Sequence, residues 1–268
     1  MIDLHNHLLP GIDDGARELE ETLEFLRLAR RDGVRTIVAT PHMKPGVYDN
    51  RRDTILETIA LVRQAQQGDE AEGVTLLPGA EVYFTADVVQ RARAGALMTV
   101  ADRGRYLLLE LPYQQVPMRV EETIFQLRLA GMTPLLAHPE RVAYYLADID
   151  RVATAVRLGA LTQVTAASIT GTFGPKARDF VREMLARNLV HVVASDGHDV
   201  RYRPPLLSDA VRVVAEVCGE AAARGMVERT PQAILEGTEV ETGAPVEAPR
   251  RGRWRRFWSL LDRRRGRL

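Results

Sequence analysis

Cysteine is almost missing: Cys218 is the only one in 268 residues. A single thiol closes no internal disulfide. This one sits in the helical-looking stretch SDAVRVVAEVCGEAAARG, where it reads as a small apolar filler rather than a catalytic group. Long apolar runs are missing as well. Nothing approaches the roughly 18 consecutive apolar residues of a membrane helix, and the first residues lack the basic-then-apolar pattern of a secretory signal, so a cytoplasmic location is expected. Lysine is scarce: Lys44 and Lys176 are the only two among 36 basic residues. That fits a GC-rich genome or a preference for guanidinium chemistry and identifies no substrate. The formal net charge of zero hides opposites, because residues 250 to 268 carry nine arginines and one aspartate, +8, which leaves −8 on residues 1 to 249.

Hydrophobic residues make up 46% of the chain, enough for a sizeable core. Seven apolar segments read as strands: IDLHNHL, TIVATPH, VTLLPGAEV, YLLLELP, TPLLAHP, LTQVTAAS and HVVASDGH. Most are nearly continuous apolar runs, as buried parallel strands are. Amphipathic stretches such as LEETLEFLRLARRDG, VEETIFQLRLAG and ARDFVREMLARN lie between them, each stopped by Gly or Asn. This alternation predicts an α/β protein of parallel β/α units, a barrel or, failing that, an open wound sheet. No second core is evident. EVETGAPVEAPRRG has two prolines, two glycines and no apolar period, so it reads as a linker; the expected division is a domain over 1–238 and a linker with a basic tail over 239–268.

The polar residues collect at one end of these units. His5 and His7 end the first strand segment, His42 the second, Glu81 the third, Glu110 the fourth, His138 the fifth, and Asp196 with His198 the last. In parallel barrels and wound sheets the carboxyl ends of the strands share one face, where active sites sit. Taken alone, His5 and His7 could be an exposed edge pair, and Glu81 and Glu110 solvated carboxylates. Together, five of the six histidines fall at these ends, and His191, at the start of its strand, is the exception. With Asp14 there are nine candidate metal ligands. Imidazole and carboxylate donors without thiolates suit Mn, Fe or Zn. One ion takes about four to six ligands, so a site of two or three ions is expected.

Such sites use a bridging hydroxide as nucleophile and clamp the attacking and leaving oxygens of a phosphoryl group, which points to hydrolysis of a phosphate ester. Arg141, three residues after His138, could fork onto two phosphate oxygens or form a salt bridge with a nearby carboxylate. Arg203, in RYRPP, is a second candidate of the same kind.

The segments DLHNHLLPGIDDGA, TPH, GAEVYF, LLLELP, LLAHPER and SDGHDVRYRPP resemble, in order and spacing, the polymerase and histidinol phosphatase (PHP) superfamily. Within it the chain is similar to the manganese-dependent protein-tyrosine phosphatases of the CpsB/CapC type, found in bacterial capsule and exopolysaccharide loci. The resemblance spans residues 1 to about 238, and PGIDDGA and HPER are its most specific pieces. It implies a distorted (β/α)7 barrel with three metals, Mn the expected ion and Fe or Zn the alternatives. It assigns His5, His7 and Asp196 to the first ion, Glu81 as a bridge to a second held also by Glu110 and His138, and Asp14, His42 and His198 to the third. By the same resemblance Arg141 would bind the phosphate; the candidate catalytic residues are then Arg141 and His138, with Arg203 the weaker candidate for a substrate contact. The implied substrate is a phosphotyrosine protein, a bacterial tyrosine kinase or its adaptor that controls polysaccharide export.

Histidinol-phosphate phosphatase is the competing enzymatic reading. A nuclease would need a basic groove that the acid-rich domain lacks, and a non-catalytic scaffold should have lost ligands. The tail RRGRWRRFWSLLDRRRGRL, if helical, would align Trp254, Phe257, Trp258 and Leu261 in one apolar stripe among arginines. It is expected to lie on an anionic membrane surface or dock on a partner, against the alternatives of a disordered tail or a helix packed on its own barrel. Binding of single-stranded nucleic acid is a further option for such a segment.

Overall fold

The computed structural model describes residues 1–115 and 118–246. The tail and its Trp254, Phe257, Trp258 and Leu261 stripe lie outside the described residues. In chain order the elements are β1 (Ile2–Asp3), α1 (Leu19–Arg31), β2 (Thr36–Ala39), β3 (His42–Lys44), β4 (Tyr48–Asp49), α2 (Arg52–Ala65), β5 (Thr75–Pro78), β6 (Glu81–Tyr83), α3 (Val88–Arg93), β7 (Tyr106–Glu110) and α4 (Val120–Leu129). There follow β8 (Thr133–Ala137), α5 (Ala143–Leu146), α6 (Ile149–Arg157), β9 (Leu161–Thr165), α7 (Ala166–Thr170), α8 (Pro175–Ala186), β10 (Val192–Ala194), α9 (Ser208–Cys218), α10 (Glu220–Arg224) and α11 (Thr230–Glu236).

Two parallel ladders curve into a distorted barrel. One runs β1-β2-β5; the other runs β10-β9-β8-β7-β6-β3, with β4 added antiparallel to β3. Backbone bonds join them at the carboxyl rim: Asp196 N–H donates to the His5 carbonyl at 2.8 Å, His7 N–H to Gly197 at 2.8 Å, and Glu81 N–H to Pro41 at 3.1 Å. The second and third strand segments of the sequence each prove to be two strands. Pro41 has no N–H to continue the β2–β5 ladder, and the chain re-registers so that His42 pairs with Glu81 across β3 and β6. His42 and Glu81 therefore begin strands rather than end them. The helical-looking stretch around Cys218 is likewise broken, at Gly219 with φ 86°.

Side chains alternate across the strands. On β7, Leu107 and Leu109 join the layer shared with the helices while Tyr106 and Leu108 fill the barrel interior. Leu135 and Ala137, Val192 and Ala194, and Ile2 and Leu4 complete that interior. Continuing the same period upward brings Glu110 above Leu108, Gln163 and Thr165 above Leu161, and Asp196 above Ala194. An apolar plug thus sits beneath a polar rim. At the opposite end His191 is buried, and its Nδ1 accepts the Thr162 N–H at 3.1 Å. Residues 238–246 stay on the barrel: Tyr106 donates to the Thr238 carbonyl at 2.5 Å, and Val246 N–H to Arg187 at 2.9 Å.

Candidate metal centre

The first ligand loop is built by Gly15. A Cβ there would overlap the His7 carbonyl, so only glycine lets residues 8–16 fold back and bond Ala16 N–H to His7 O at 3.0 Å. That fold brings two adjacent aspartates to different tasks. Asp14 faces His42 Nε2 at 3.4 Å and His198 Nε2 at 3.6 Å. Asp13 is buried behind His7, accepting its Nδ1–H at 2.7 Å, the His42 N–H at 3.1 Å and the Gly15 N–H at 3.0 Å.

All nine sequence-nominated ligands converge into one connected cluster. Glu81 is its hub: it lies 2.8 Å from His138 Nε2, 3.0 Å from His42 Nδ1, 3.4 Å from His5 Nε2 and 3.5 Å from His7 Nε2. Glu110 approaches His42 at 3.8 Å, and Asp196 approaches His5 at 3.5 Å and His198 at 3.7 Å. His138 and Asp196 hold positive φ, 32° and 51°, a conformation that non-glycine residues adopt at a cost and that clusters at functional sites. Three donor groups lie close enough to share an ion: His7, Asp14, His42 and His198; His5, His7 and Glu81; His42, Glu81 and Glu110. The first contains the whole expected third set and adds His7. The other two distribute His5, His7, Glu81 and Glu110 differently from the expected sets.

Hydrogen bonding fixes the imidazole tautomers. Gln163 Oε1 accepts the His138 backbone N–H at 3.3 Å, so the His5 Nδ1 that faces the same oxygen at 2.9 Å carries its proton. Asp13 fixes the Nδ1–H of His7 in the same way, and the Asp196 carbonyl that of His198 at 3.0 Å. Each Nε2 is left with a lone pair aimed into the cluster. The His5 and His7 Nε2 atoms stand 3.2 Å apart, which is repulsive unless a proton or a cation lies between them. His42 Nδ1 and Glu110 Oε2 are buried without a hydrogen-bond partner. The donors therefore fit divalent cations of the Mn, Fe or Zn kind.

Without cations, protons fill that role. Burial works against charge on His7, but Asp13 outweighs it and lifts the imidazole to about 9. Burial is again the largest effect on His42, and the close carboxylates of Asp14 and Glu81 overcome it, lifting the group to about 11. Burial, then the charge of His7, pushes His198 down to about 3. Glu81, despite burial, is held well below the usual carboxylate range by His5, His138 and His42. Burial and the charge of Glu81 push Glu110 upward.

Arg141 and Arg203 come together at the rim. Each donates to Asp196 Oδ2 at 2.7 Å, so the salt bridge left open for Arg141 exists, and its partner is a carboxylate of the cluster. Asp13 and Gln163 escaped the sequence reading. Asp13 sits beside Asp14 in PGIDDGA, where spacing cannot tell two carboxylates apart, and an isolated Gln163 carries no signal. Tyr113, stacked on His138 with ring centroids 5.4 Å apart, was also missed.

A distorted parallel barrel with buried imidazoles and carboxylates at its carboxyl rim defines the class: metal-centred α/β barrel proteins. Residues 1–236 match the family model for capsular polysaccharide synthesis, CpsB/CapC, and the chain belongs to that family. It is 34% identical to the tyrosine-protein phosphatase YwqE of Bacillus subtilis over 219 residues, 82% of this chain and 85% of that one. It is 31% identical to the tyrosine-protein phosphatase CpsB of Streptococcus pneumoniae over 240 residues, 88% of this chain and 98% of that one. Among solved structures, that of the metal-dependent tyrosine phosphatases YwqE and CpsB matches with a TM-score of 0.88 at 32% identity, covering 93% of this chain and 100% of the other. A phosphotriesterase homology protein of Escherichia coli, at 13% identity and a TM-score of 0.53, shares the barrel fold.

Proposed function

We propose that this chain is a metal-dependent protein-tyrosine phosphatase of capsular or exopolysaccharide synthesis, a phosphoric monoester hydrolase. The observation that carries the reading is the convergence of two guanidiniums on Asp196 at the mouth of a cluster of metal-type donors, all buried except Asp14. Membership in CpsB/CapC and the names of the relatives support tyrosine phosphate over histidinol phosphate as substrate.

His5, His7, Asp14, His42, Glu81, Glu110, His138, Asp196 and His198 would hold the ions, which we take to be three Mn. Bound divalent ions would supply Lewis acidity and lower the pKa of water at neutral pH. The protein's own part is positional. Asp13 and Gln163 keep the Nε2 lone pairs of His7 and His5 pointed inward, and Asp196 presents the two guanidiniums so that their remaining N–H groups face a phosphoryl group, where Arg141 would carry most of the charge stabilisation and Arg203 the rest.

The proposed substrate is a phosphorylated bacterial tyrosine kinase, or its adaptor, governing polysaccharide export. Residues 1–238 would form the catalytic domain, and the basic segment after it would hold a cytoplasmic enzyme near a membrane-bound partner. No helix among the described residues is long and apolar enough to cross a membrane. Turnover of phosphotyrosyl peptide, phosphoseryl peptide and histidinol phosphate by Mn-loaded protein tests the reading. Preference for the phosphotyrosyl peptide is expected, and preference for histidinol phosphate would overturn it.

A further inference from the structure

The segment after β9, TGTFGP, carries one aromatic side chain that the phosphate-binding argument leaves unused. Phe173 sits between two glycines in the left-handed region, Gly171 at φ 93° and Gly174 at φ 89°. Gly171 closes α7 and Gly174 opens α8. Gly174 N–H donates to the Gly171 carbonyl at 2.9 Å, and Phe173 N–H to Ala167 at 3.4 Å. The turn is thus hydrogen-bonded on both sides of Phe173, and the ring stands at the rim half-buried.

Both arginines of the site lie against it. The Arg141 guanidinium carbon is 4.8 Å from the Phe173 ring centroid and that of Arg203 is 5.8 Å. Arg141 also lies 5.1 Å from the centroid of Tyr113. A phosphate held by these forks at the usual N···O distance of about 2.8 Å would place the first carbon of its ester group about 5–6 Å from a guanidinium carbon. Phe173 stands 4.8 and 5.8 Å from the same two guanidinium carbons, so its ring borders the pair that would hold the phosphate. An aromatic leaving group directed to the Phe173 side of the forks would meet its ring, whereas a short alkyl group would leave the contact unmade.

We propose that Phe173 is a specificity-determining residue: the ring wall, shared by Arg141 and Arg203, that selects aryl over alkyl phosphates. The inference deepens the phosphotyrosine reading and rests on it for the identity of the aryl group. The ring already packs against both guanidiniums before substrate arrives, so less ordering is left to bind an aryl group.

The test compares full-length Mn-loaded wild type, Phe173→Ala and Phe173→Trp. Affinities for phenylphosphonate and methylphosphonate are measured by calorimetry, and kcat/KM for phosphotyrosyl and phosphoseryl peptides by phosphate release. Wild type is expected to prefer phenylphosphonate. Phe173→Ala should lose about ten-fold in phenylphosphonate affinity, the upper end of what one aromatic pair contributes, with methylphosphonate little changed, and Phe173→Trp should keep the preference. An undiminished preference in Phe173→Ala would overturn the proposal. So would an equal loss for both phosphonates, which would make Phe173 a mere support for the arginines. Should the aryl preference depend on Phe173 while no variant hydrolyses phosphotyrosyl peptide, the wall stands and the tyrosine phosphatase reading fails.

Discussion

Replacing Asp13 by Asn isolates the contribution of a residue that touches no ion in the proposed site. Its carboxylate accepts three N–H groups, those of His7 and His42 on Oδ2 and that of Gly15 on Oδ1. An asparagine carbonyl can serve the first two, but its NH2 then points at the Gly15 N–H, a donor facing a donor. Gly15 is only half-buried, so leaving that amide unsatisfied costs about 1 kcal/mol of stability, the low end for an unpaired donor. The loss of the negative charge behind His7 also makes its Nε2 a poorer donor. Changes in such outer partners lower metal affinity by about 10–100-fold, equal to about 1.4–2.8 kcal/mol. Asp13→Asn should therefore raise the Mn concentration for half-maximal activity by that factor, with kcat at saturating Mn near wild type. Phosphate release titrated with Mn, beside a thermal melt of metal-free protein, reads both effects. An unchanged Mn requirement would refute the claim that the Asp13 charge strengthens His7 as a donor and reduce Asp13 to a loop-forming residue.

Glu81→Ala, which removes the carboxylate that four imidazoles approach, should abolish most activity and lower bound metal while circular dichroism stays native; full activity at ordinary Mn would break the ligand assignment. Arg141→Lys replaces a fork with a point charge and should lower kcat/KM by about ten-fold or more, an oxyanion-stabiliser effect, with metal content unchanged by elemental analysis. His191, far from the cluster, is lowered to about 4 by burial, whereas the unfolded chain titrates near 6.5. Between those values the unfolded state binds more protons, so the stability owed to neutral His191 is fully present above about 6.5 and falls as pH drops toward about 4, by on the order of 3 kcal/mol. Urea unfolding of wild type and His191→Gln across that window should converge on acidification; parallel curves would contradict it.

The convergence of the candidate ligands was legible in the sequence because parallel strands deliver their carboxyl ends to one rim, and a histidine or carboxylate after an apolar run stands out. The grouping of those ligands was not legible. It depends on His42 and Glu81 starting new strands, and Pro41 and Gly79 lie in segments that read as uninterrupted. Gly79 is required because a Cβ there would come within 2.6 Å of Val38 Cγ1, a fact of the neighbouring strand rather than of the local sequence. The roles of Gln163 and Phe173 were hidden for the same reason, since each meets its partners only across neighbouring strands and loops, and that of Asp13 because it depends on the fold-back around Gly15. Gly219 was visible as a residue, but only its φ shows that it separates α9 from α10.

The central claim, that the rim cluster holds divalent ions on which phosphotyrosine hydrolysis depends, is tested most directly by stripping the full-length protein with a chelator and verifying metal removal by elemental analysis. Phosphotyrosyl peptide turnover is then followed as Mn is restored. Turnover should fall to background in the stripped protein and return as metal binds, at a stoichiometry of more than one ion per chain. Undiminished turnover by protein proven free of metal would contradict the account.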